Sequence, residues 1–448
     1  MVRNKLLMSN TKFSYLTFIN FSFLSLWDYK RYASNAIISN HNIVKLSSCI
    51  TEENEKIKPF EFPNEKFEIL GVNNKTGLFD AYIEKGSKIN QPYKIVKDGF
   101  LAYNPYRINV GSIGLKTKEQ KYKYISPAYV VFSCKKNLIP EFLYILFKTN
   151  KFNKLIRENT TGSVRQTLSF ASMGNIMFPL PSLEKQQEII NKYNEKIKLA
   201  EKQEQQAKQL EDDVEKYLQN ELGLKIVDSY FEKNIIWSIY KLSQLSRWDV
   251  YNNTSSISSQ KYKISKFKDI VVGKPMYGAN EKAIKIKTDV RYIRITDINE
   301  DGSLNNNIVS AKKVDTKYLL KENDFLIARS GTVGRTFLYK NILGKCIYAG
   351  YLIKFNLDTS KVKPEYILYY SKSKAYKTWI LSNQRANAQP NINSKEYLES
   401  PMIIPPLDIQ NKIVEHIKSM QDKIKSLNKQ AENNRTLAQQ EFERELFA

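Results

Sequence analysis

The residues that most often do chemistry are scarce in this 448-residue chain and poorly placed for it. Its two histidines, His41 and His416, stand far apart, and the second falls inside a helical apolar pattern, so a histidine-based metal site or general base has almost nothing to work with. The three cysteines, Cys49, Cys134 and Cys346, are odd in number, widely spaced and never in a Cys-x-x-Cys pair. That argues against a disulfide framework and against a zinc site, and it suits a reducing cytosol. An adenine methyltransferase needs an Asn/Asp-Pro-Pro-aromatic segment to hold a flipped base. The nearest approach is Tyr103-Asn104-Pro105-Tyr106, one proline short and without a glycine-rich strand-turn-helix before it. Gly331-Thr332-Val333-Gly334-Arg335-Thr336 lacks both the spacing and the lysine of a phosphate loop. No catalysis, bound metal or resident cofactor is therefore expected of the chain itself.

Positive charge, by contrast, is plentiful. Lys and Arg total 70 against 46 acidic residues, a net +24. A surplus of that size points to a polyanion, the competing explanation being a Lys-rich, Asn-rich and Ile-rich composition. Arg329 and Arg335 flank the Gly331/Gly334 loop, and Arg107, Lys116 and Lys118 flank a matching loop at Gly111/Gly114. Either these glycines let the backbone turn tightly beside a phosphate or base edge, or they make a strand-connecting turn with solvated cations. Arg165, Gln166, Asn387 and Gln389 are residue types that pair with guanine or adenine edges in a major groove. Each pair precedes a Thr/Asn-Leu/Ile-Ser/Asn segment, so orienting that segment is the alternative role.

The elements that must position these residues occur twice. Sliding the sequence on itself by 220 to 225 positions brings short matches into register in a fixed order. Leu26-Trp27-Asp28 answers Arg247-Trp248-Asp249, Asp98-Gly99-Phe100-Leu101 answers Asn323-Asp324-Phe325-Leu326, and Gly111-Ser112-Ile113-Gly114 answers Gly331-Thr332-Val333-Gly334. Ile139-Pro140-Glu141-Phe142 answers Lys363-Pro364-Glu365-Tyr366, and Leu183 with Gln186 answers Leu407 with Gln410, both at an offset of 224. Apolar runs such as Tyr129-Val130-Val131-Phe132 and Tyr351-Leu352-Ile353, punctuated by glycine turns, read as strands. The Pro-Glu-aromatic segments read as helix starts, with Phe142, Ile145 and Leu146 in one copy and Tyr366, Tyr369 and Tyr370 in the other at helical spacing.

Each copy ends alike. Prolines at 179 and 181, or at 405 and 406, are followed by about 40 residues without Pro or Gly, which predicts long helices over 183–222 and 407–448. Ile190, Tyr193 and Ile197 open an apolar stripe on the first; Ile417, Met420, Ile424, Leu427 and Asn434 continue a heptad stripe on the second. So narrow a stripe needs another helix, and the natural partner is the duplicate, in an antiparallel pair with a globular domain at either end. Asn434 on that seam either fixes register or is a tolerated polar residue near a solvated end. The first helix holds seven basic and ten acidic residues and the second seven of each, so the positive charge belongs to the globular parts. The N-terminal run 13–27 is broken by polar residues and reads as part of the first domain rather than a signal, and no apolar run reaches membrane-span length.

The doubled set of Trp-Asp opening, glycine loop, proline stop before Leu-x-x-Gln and terminal heptad helix resembles the specificity subunit of type I restriction-modification systems. Its sharpest marks are Pro179-Leu180-Pro181-Ser182-Leu183-Glu184-Lys185-Gln186, Ile404-Pro405-Pro406-Leu407-Asp408-Ile409-Gln410, Gly162-Ser163-Val164-Arg165-Gln166-Thr167-Leu168-Ser169 against Asn387-Ala388-Gln389-Pro390-Asn391-Ile392-Asn393, and Ala328-Arg329-Ser330-Gly331. The resemblance implies an α+β chain with two mixed target-recognition domains in pseudo-two-fold arrangement, 1–182 and 223–406, separated by the antiparallel helices. It implies a cytoplasmic, non-catalytic reader of a bipartite site in double-stranded DNA. Two methyltransferase subunits would dock on it and restriction-translocase subunits would join them, with S-adenosylmethionine, ATP and Mg held by those partners. The copies differ most between 45–90 and 267–317, so the two half-sites should differ and the whole site should be asymmetric.

Overall fold

The computed structural model describes residues 37–160, 167–227, 256–286, 288–383 and 390–447. Both Trp-Asp openings lie outside them. The chain divides into two compact units, Met1–Lys202 with Gln430–Ala448, and Gln203–Lys429.

In chain order the first unit contains β1 (Asn42–Lys45), β2 (Ile50–Glu52), β3 (Lys56–Ile57), β4 (Lys66–Asn73), β5 (Gly77–Lys85), β6 (Tyr93–Ile95), β7 (Leu101–Tyr103), β8 (Ile113–Leu115), β9 (Tyr124–Ile125) and β10 (Val130–Cys134). Helices α1 (Pro140–Lys148), α2 (Asn150–Asn159) and α3 (Phe170–Gly174), strand β11 (Met177–Leu180) and the long α4 (Leu183–Leu222) follow. A framework sheet runs β2-β10-β7-β8, and β1 pairs with β11 to close the unit beside the proline stop. Pro140 supplies the first turn of α1, where its missing N–H costs nothing, and Phe142, Ile145 and Leu146 turn inward as their spacing predicts. Phe132 and Phe147 bring sheet and helix together, with ring centroids 6.5 Å apart. Thr149 ends α1 and caps α2, its hydroxyl accepting the Phe152 N–H at 3.3 Å.

The second unit repeats this frame. Its strands are β12 (Leu224–Val227), β13 (Ser256–Ser259), β14 (Ile264–Lys266), β15 (Val271–Tyr277), β16 (Ala283–Ile284), β17 (Arg291–Ile293), β18 (Ser310–Ala311), β19 (Phe325–Ala328), β20 (Thr336–Leu338), β21 (Cys346–Tyr348) and β22 (Leu352–Leu357). Helices α5 (Pro364–Tyr370), α6 (Lys374–Asn383) and α7 (Ser394–Leu398), strand β23 (Pro401–Ile403) and α8 (Leu407–Leu446) complete it. The sheet order β15-β22-β19-β20 and the pair β14-β23 match the first unit strand for strand. The inserts between the framework strands do not match. In the first unit they build a five-stranded sheet, β3-β6-β9-β4-β5, dominated by the β4–β5 hairpin; in the second, among the described residues, they give the pairs β16-β18 and β17-β21 with isolated bridges at Ala279–Ala349 and Ile298–Leu304.

Strand register corrects two of the sequence matches. Leu101 stands opposite Leu115 as Phe325 stands opposite Leu338, so the offset here is 224 and not 225. Gly99 then answers Asn323, and these two share a left-handed backbone, φ 84° and 69°. Asn is among the few non-glycine residues that tolerate that conformation. Likewise Ile113 answers Thr336, so Gly111 answers Gly334, at φ 84° and 81°, rather than Gly331. Identity of side chains misled the alignment because the turn selects a backbone angle, not a residue name.

The first long helix has the predicted span; the second ends two residues short of the chain end. Gly223, at φ 58°, stops the first. Each contributes to both units. Within the first unit, Lys192 pairs with Glu445 and Lys196 with Glu441, while Tyr193 meets the Phe442 ring at 6.0 Å, so the segments run antiparallel. Within the second, Leu218 and Leu222 share a core with Ile413 and Ile417, and the Tyr217 ring lies 4.1 Å from that of His416.

Candidate nucleic-acid interface

In each unit the turn leaving the framework strand, 104–112 between β7 and β8 and 329–335 between β19 and β20, is tied to the segment that follows α2 or α6. Leu168 N donates to Pro105 O at 3.1 Å, and Ile392 N donates to Arg329 O at 3.0 Å, the same bond at the same offset of 224. In the first unit the Tyr103 hydroxyl adds a bond to Leu168 O at 3.0 Å. In the second, Tyr397 OH donates to Ala328 O at 2.8 Å and accepts the Gly334 N–H at 3.0 Å. A Cβ on Gly334 would lie 2.8 Å from Ile380, so glycine is needed there for space as well as for its backbone angle.

The predicted contact residues divide in their placement. Arg107, next to Tyr106, which is 58% exposed, and Lys118 are both exposed on the first unit's loops. Lys116 is buried, and its ammonium donates to Asp98 at 3.0 Å and to the carbonyls of Thr117 and Gln120, so its charge is committed inside the fold. Arg329 is half-buried over the Tyr277 ring, 5.0 Å from its centroid, and reaches Asn391 Oδ1 at 3.5 Å. Arg335 donates to Ile298 O at 2.9 Å and stands 3.7 Å from Glu300. Arg165, Gln166, Asn387 and Gln389 lie outside the described residues, while their described neighbours Leu168 and Ile392 are the residues bonded to the loops. On the helices, Ile190 and Ile417 are fully buried, whereas Tyr193, Ile197, Met420, Ile424, Leu427 and Asn434 are half-buried along the stripe.

Two structural roles escaped the sequence. Gln186 of the Leu-x-x-Gln motif is completely buried, its carboxamide accepting Ile139 N–H at 2.9 Å and donating to the carbonyls of Asn137 and Pro181, both at 3.0 Å. Gln410 repeats all three bonds, to Lys363 N, Lys361 O and Pro405 O at 2.8, 3.0 and 2.8 Å. The motif is a brace that fixes each long helix to the helix start of its own frame. The second role belongs to glycine turns in the inserts. Gly77, at φ 74°, places its Cβ direction against Tyr144 and Ile113 O; Gly302, at φ 83°, faces Leu368 and Thr336 O, which occupy the matching positions. Both inserts therefore dock on one spot of the frame through unrelated sequences.

Charge is uneven along each repeat. The window 101–159, which runs from β7 to α2 and includes the insert strand β9, holds 11 basic and 3 acidic residues, and its counterpart 325–383, which includes β21, holds 10 and 2. The segments before them are close to balanced, with 8 basic and 9 acidic residues in 46–100 and 11 and 9 in 267–324. The Asn104 carboxamide accepts Tyr106 N–H at 3.0 Å and so is folded onto its own turn. Burial pushes the Cys134 thiol up to about 12 and that of Cys346 to about 11, far from the thiolate range of a nucleophile. Among the described residues no cluster of His, Cys, Asp or Glu could hold a metal ion, and no helix is long and apolar enough to cross a membrane.

Comparison with known proteins agrees with this arrangement. The chain is 20% identical over 290 residues to the type I restriction enzyme EcoBI specificity subunit of Escherichia coli, a match covering 62% of this chain and 58% of that relative. It therefore spans under two thirds of the relative's length. In fold it is similar, with a TM-score of 0.57 and 15% identity over 92% of this chain and 98% of the other, to a chain solved in work on complex assembly and conformational transition of the type I R-M system. The family model for the type I restriction modification DNA specificity domain matches twice, over residues 60–211 and 259–435, once on each repeat. With a frame built twice and a family match on each copy, the chain belongs to the type I restriction-modification DNA specificity family.

Proposed function

We propose that this chain is the non-catalytic DNA-reading subunit of a type I restriction-modification complex and that it reads one asymmetric site in two parts. The carrying observation is the repetition of one frame with two inserts of different architecture, in a chain whose basic surplus falls mainly over 101–159 and 325–383. Phosphate contacts carry no sequence information, so the cations that make them belong on the common frame; base readout must differ between half-sites, so it belongs on the inserts and the loops they cover. The long helices set the spacing between the half-sites and offer the surface on which two methyltransferase subunits dock, with restriction subunits beyond them. S-adenosylmethionine, ATP and Mg act on those partners.

The experiment is to combine the chain with its methyltransferase subunit, methylate random DNA and sequence the modified positions. One split site with unlike halves is the expected result. A palindromic site, modification without sequence preference, or methylation by the chain alone would overturn the reading.

A further inference from the structure

Lys148 and Lys372 occupy the same position in the two repeats, eight residues past Pro140 and Pro364. Both turn inward, beneath the loop that leaves the framework strand. Lys148 Nζ donates to Gly111 O at 3.1 Å; Lys372 Nζ donates to Thr336 Oγ1 at 2.9 Å and to Thr336 O at 3.4 Å. Each is half-buried, and among the described residues no carboxylate comes within ion-pair distance of either ammonium. In the second unit the field is mixed, with Asp301 and Glu300 favouring the charge and Lys377 and Arg335 opposing it, and the ammonium lies against the insert turn at Gly302, 3.1 Å from the position a Cβ would take there. In the first, the ammonium lies 5.3 Å from the centre of the Tyr144 ring.

Taking a cation out of water without a counter-ion is costly, and an apolar residue of similar volume usually serves stability as well or better. Neither repeat has made that exchange. The other loop cations are not shared in this way, since Arg329 stands opposite Pro105 and Arg335 opposite Ser112. A cation common to both frames, held by backbone carbonyls and with no carboxylate at ion-pair distance among the described residues, fits a partner that is the same at both half-sites. Resting on the DNA-reading function above, we propose that Lys148 and Lys372 each anchor one backbone phosphate of duplex DNA, which supplies the missing counter-charge. They are backbone anchors, one per half-site, and they do not discriminate between bases. Burial lowers the pKa of both lysines, that of Lys372 to about 8, and a bound phosphate reverses this by stabilising the charged form.

The test is a salt titration of the full-length chain against a labelled duplex of random sequence, read by fluorescence anisotropy. Lys148→Met and Lys372→Met should each reduce the slope of log K against log salt by about 0.9, weaken binding several-fold, and leave the melting temperature equal or higher. Lys→Arg at either position should keep the wild-type slope. A Met variant with an unchanged slope and a lower melting temperature would identify a structural lysine and overturn the inference. A second measurement needs no variant: between pH 8 and 10 the wild-type chain should take up protons on binding duplex, seen as a dependence of binding heat on the ionisation enthalpy of the buffer, and its absence overturns the Lys372 assignment. If the wild-type chain shows no salt-dependent duplex binding at all, it is the DNA-reading function that fails.

Discussion

At the scale of the residue, the buried carboxamides and the half-buried ammonium groups make opposite demands on stability. Gln186 and Gln410 each satisfy one N–H and two carbonyls that have no water to turn to. Truncating either to Ala should cost about 2 kcal/mol, the penalty for leaving buried backbone groups unmet, and a urea midpoint equal to wild type would show that water fills the gap. Lys372 works the other way. Burial disfavours the charge and lowers its pKa to about 8 in the fold, below the ordinary lysine value of 10.5. Between those two pH values the unfolded chain holds more protons than the folded one, so stability rises with pH across that window. Denaturation at pH 8 and pH 10 should show this gain in the free chain, and Lys372→Met should abolish its Lys372 component. The sequence exposed the Gln as a repeated letter without its bonds, and it concealed the lysines among 70 basic residues.

At the scale of the element, the close contact between insert and frame is the sensitive point. A Cβ on Gly114 of β8 would fall 2.2 Å from Leu78 N at the start of β5, a clash with backbone that no rotamer relieves. Gly114→Val should therefore push the hairpin off the first frame while leaving the second frame intact. In the complex with methyltransferase, modification should lose its preference at one half-site and keep it at the other; loss at both, with the chain still folded, would contradict separate docking of the inserts. The last turns of α8 are a second such point, because Phe442 packs against Phe142 with ring centroids 5.3 Å apart. Phe442→Ala should cost about 3–5 kcal/mol, and hydrogen exchange should report the loss in α1 and α2 rather than in α5 and α6. The helices were the most legible elements of the sequence, since forty residues without Pro or Gly and a seam at heptad spacing leave little else to form. The inserts were the least legible, because strands of two or three residues are decided by their neighbours and not by their own periodicity.

At the scale of the whole molecule, the chain is two frames that share two helices, each helix belonging to both compact units. That interleaving explains why 183–222 and 407–446 could be recognised as elements but not assigned to one domain from the sequence. Both frames carry a basic surplus, so variants that remove one framework cation should weaken binding to specific and random duplexes by the same factor, a comparison that filter binding on both DNAs would make. By itself the sequence determined the duplication, the long helices and the family, because each of these depends on residue type and spacing along the chain. Only the tertiary structure decided that Lys116 is spent on Asp98, that Lys148 and Lys372 lack such a partner, and that two unrelated inserts dock through Gly77 and Gly302 on one spot. Those facts depend on which groups meet across long stretches of chain and on how much water is left between them, and burial and pairing of that kind are not written in local spacing.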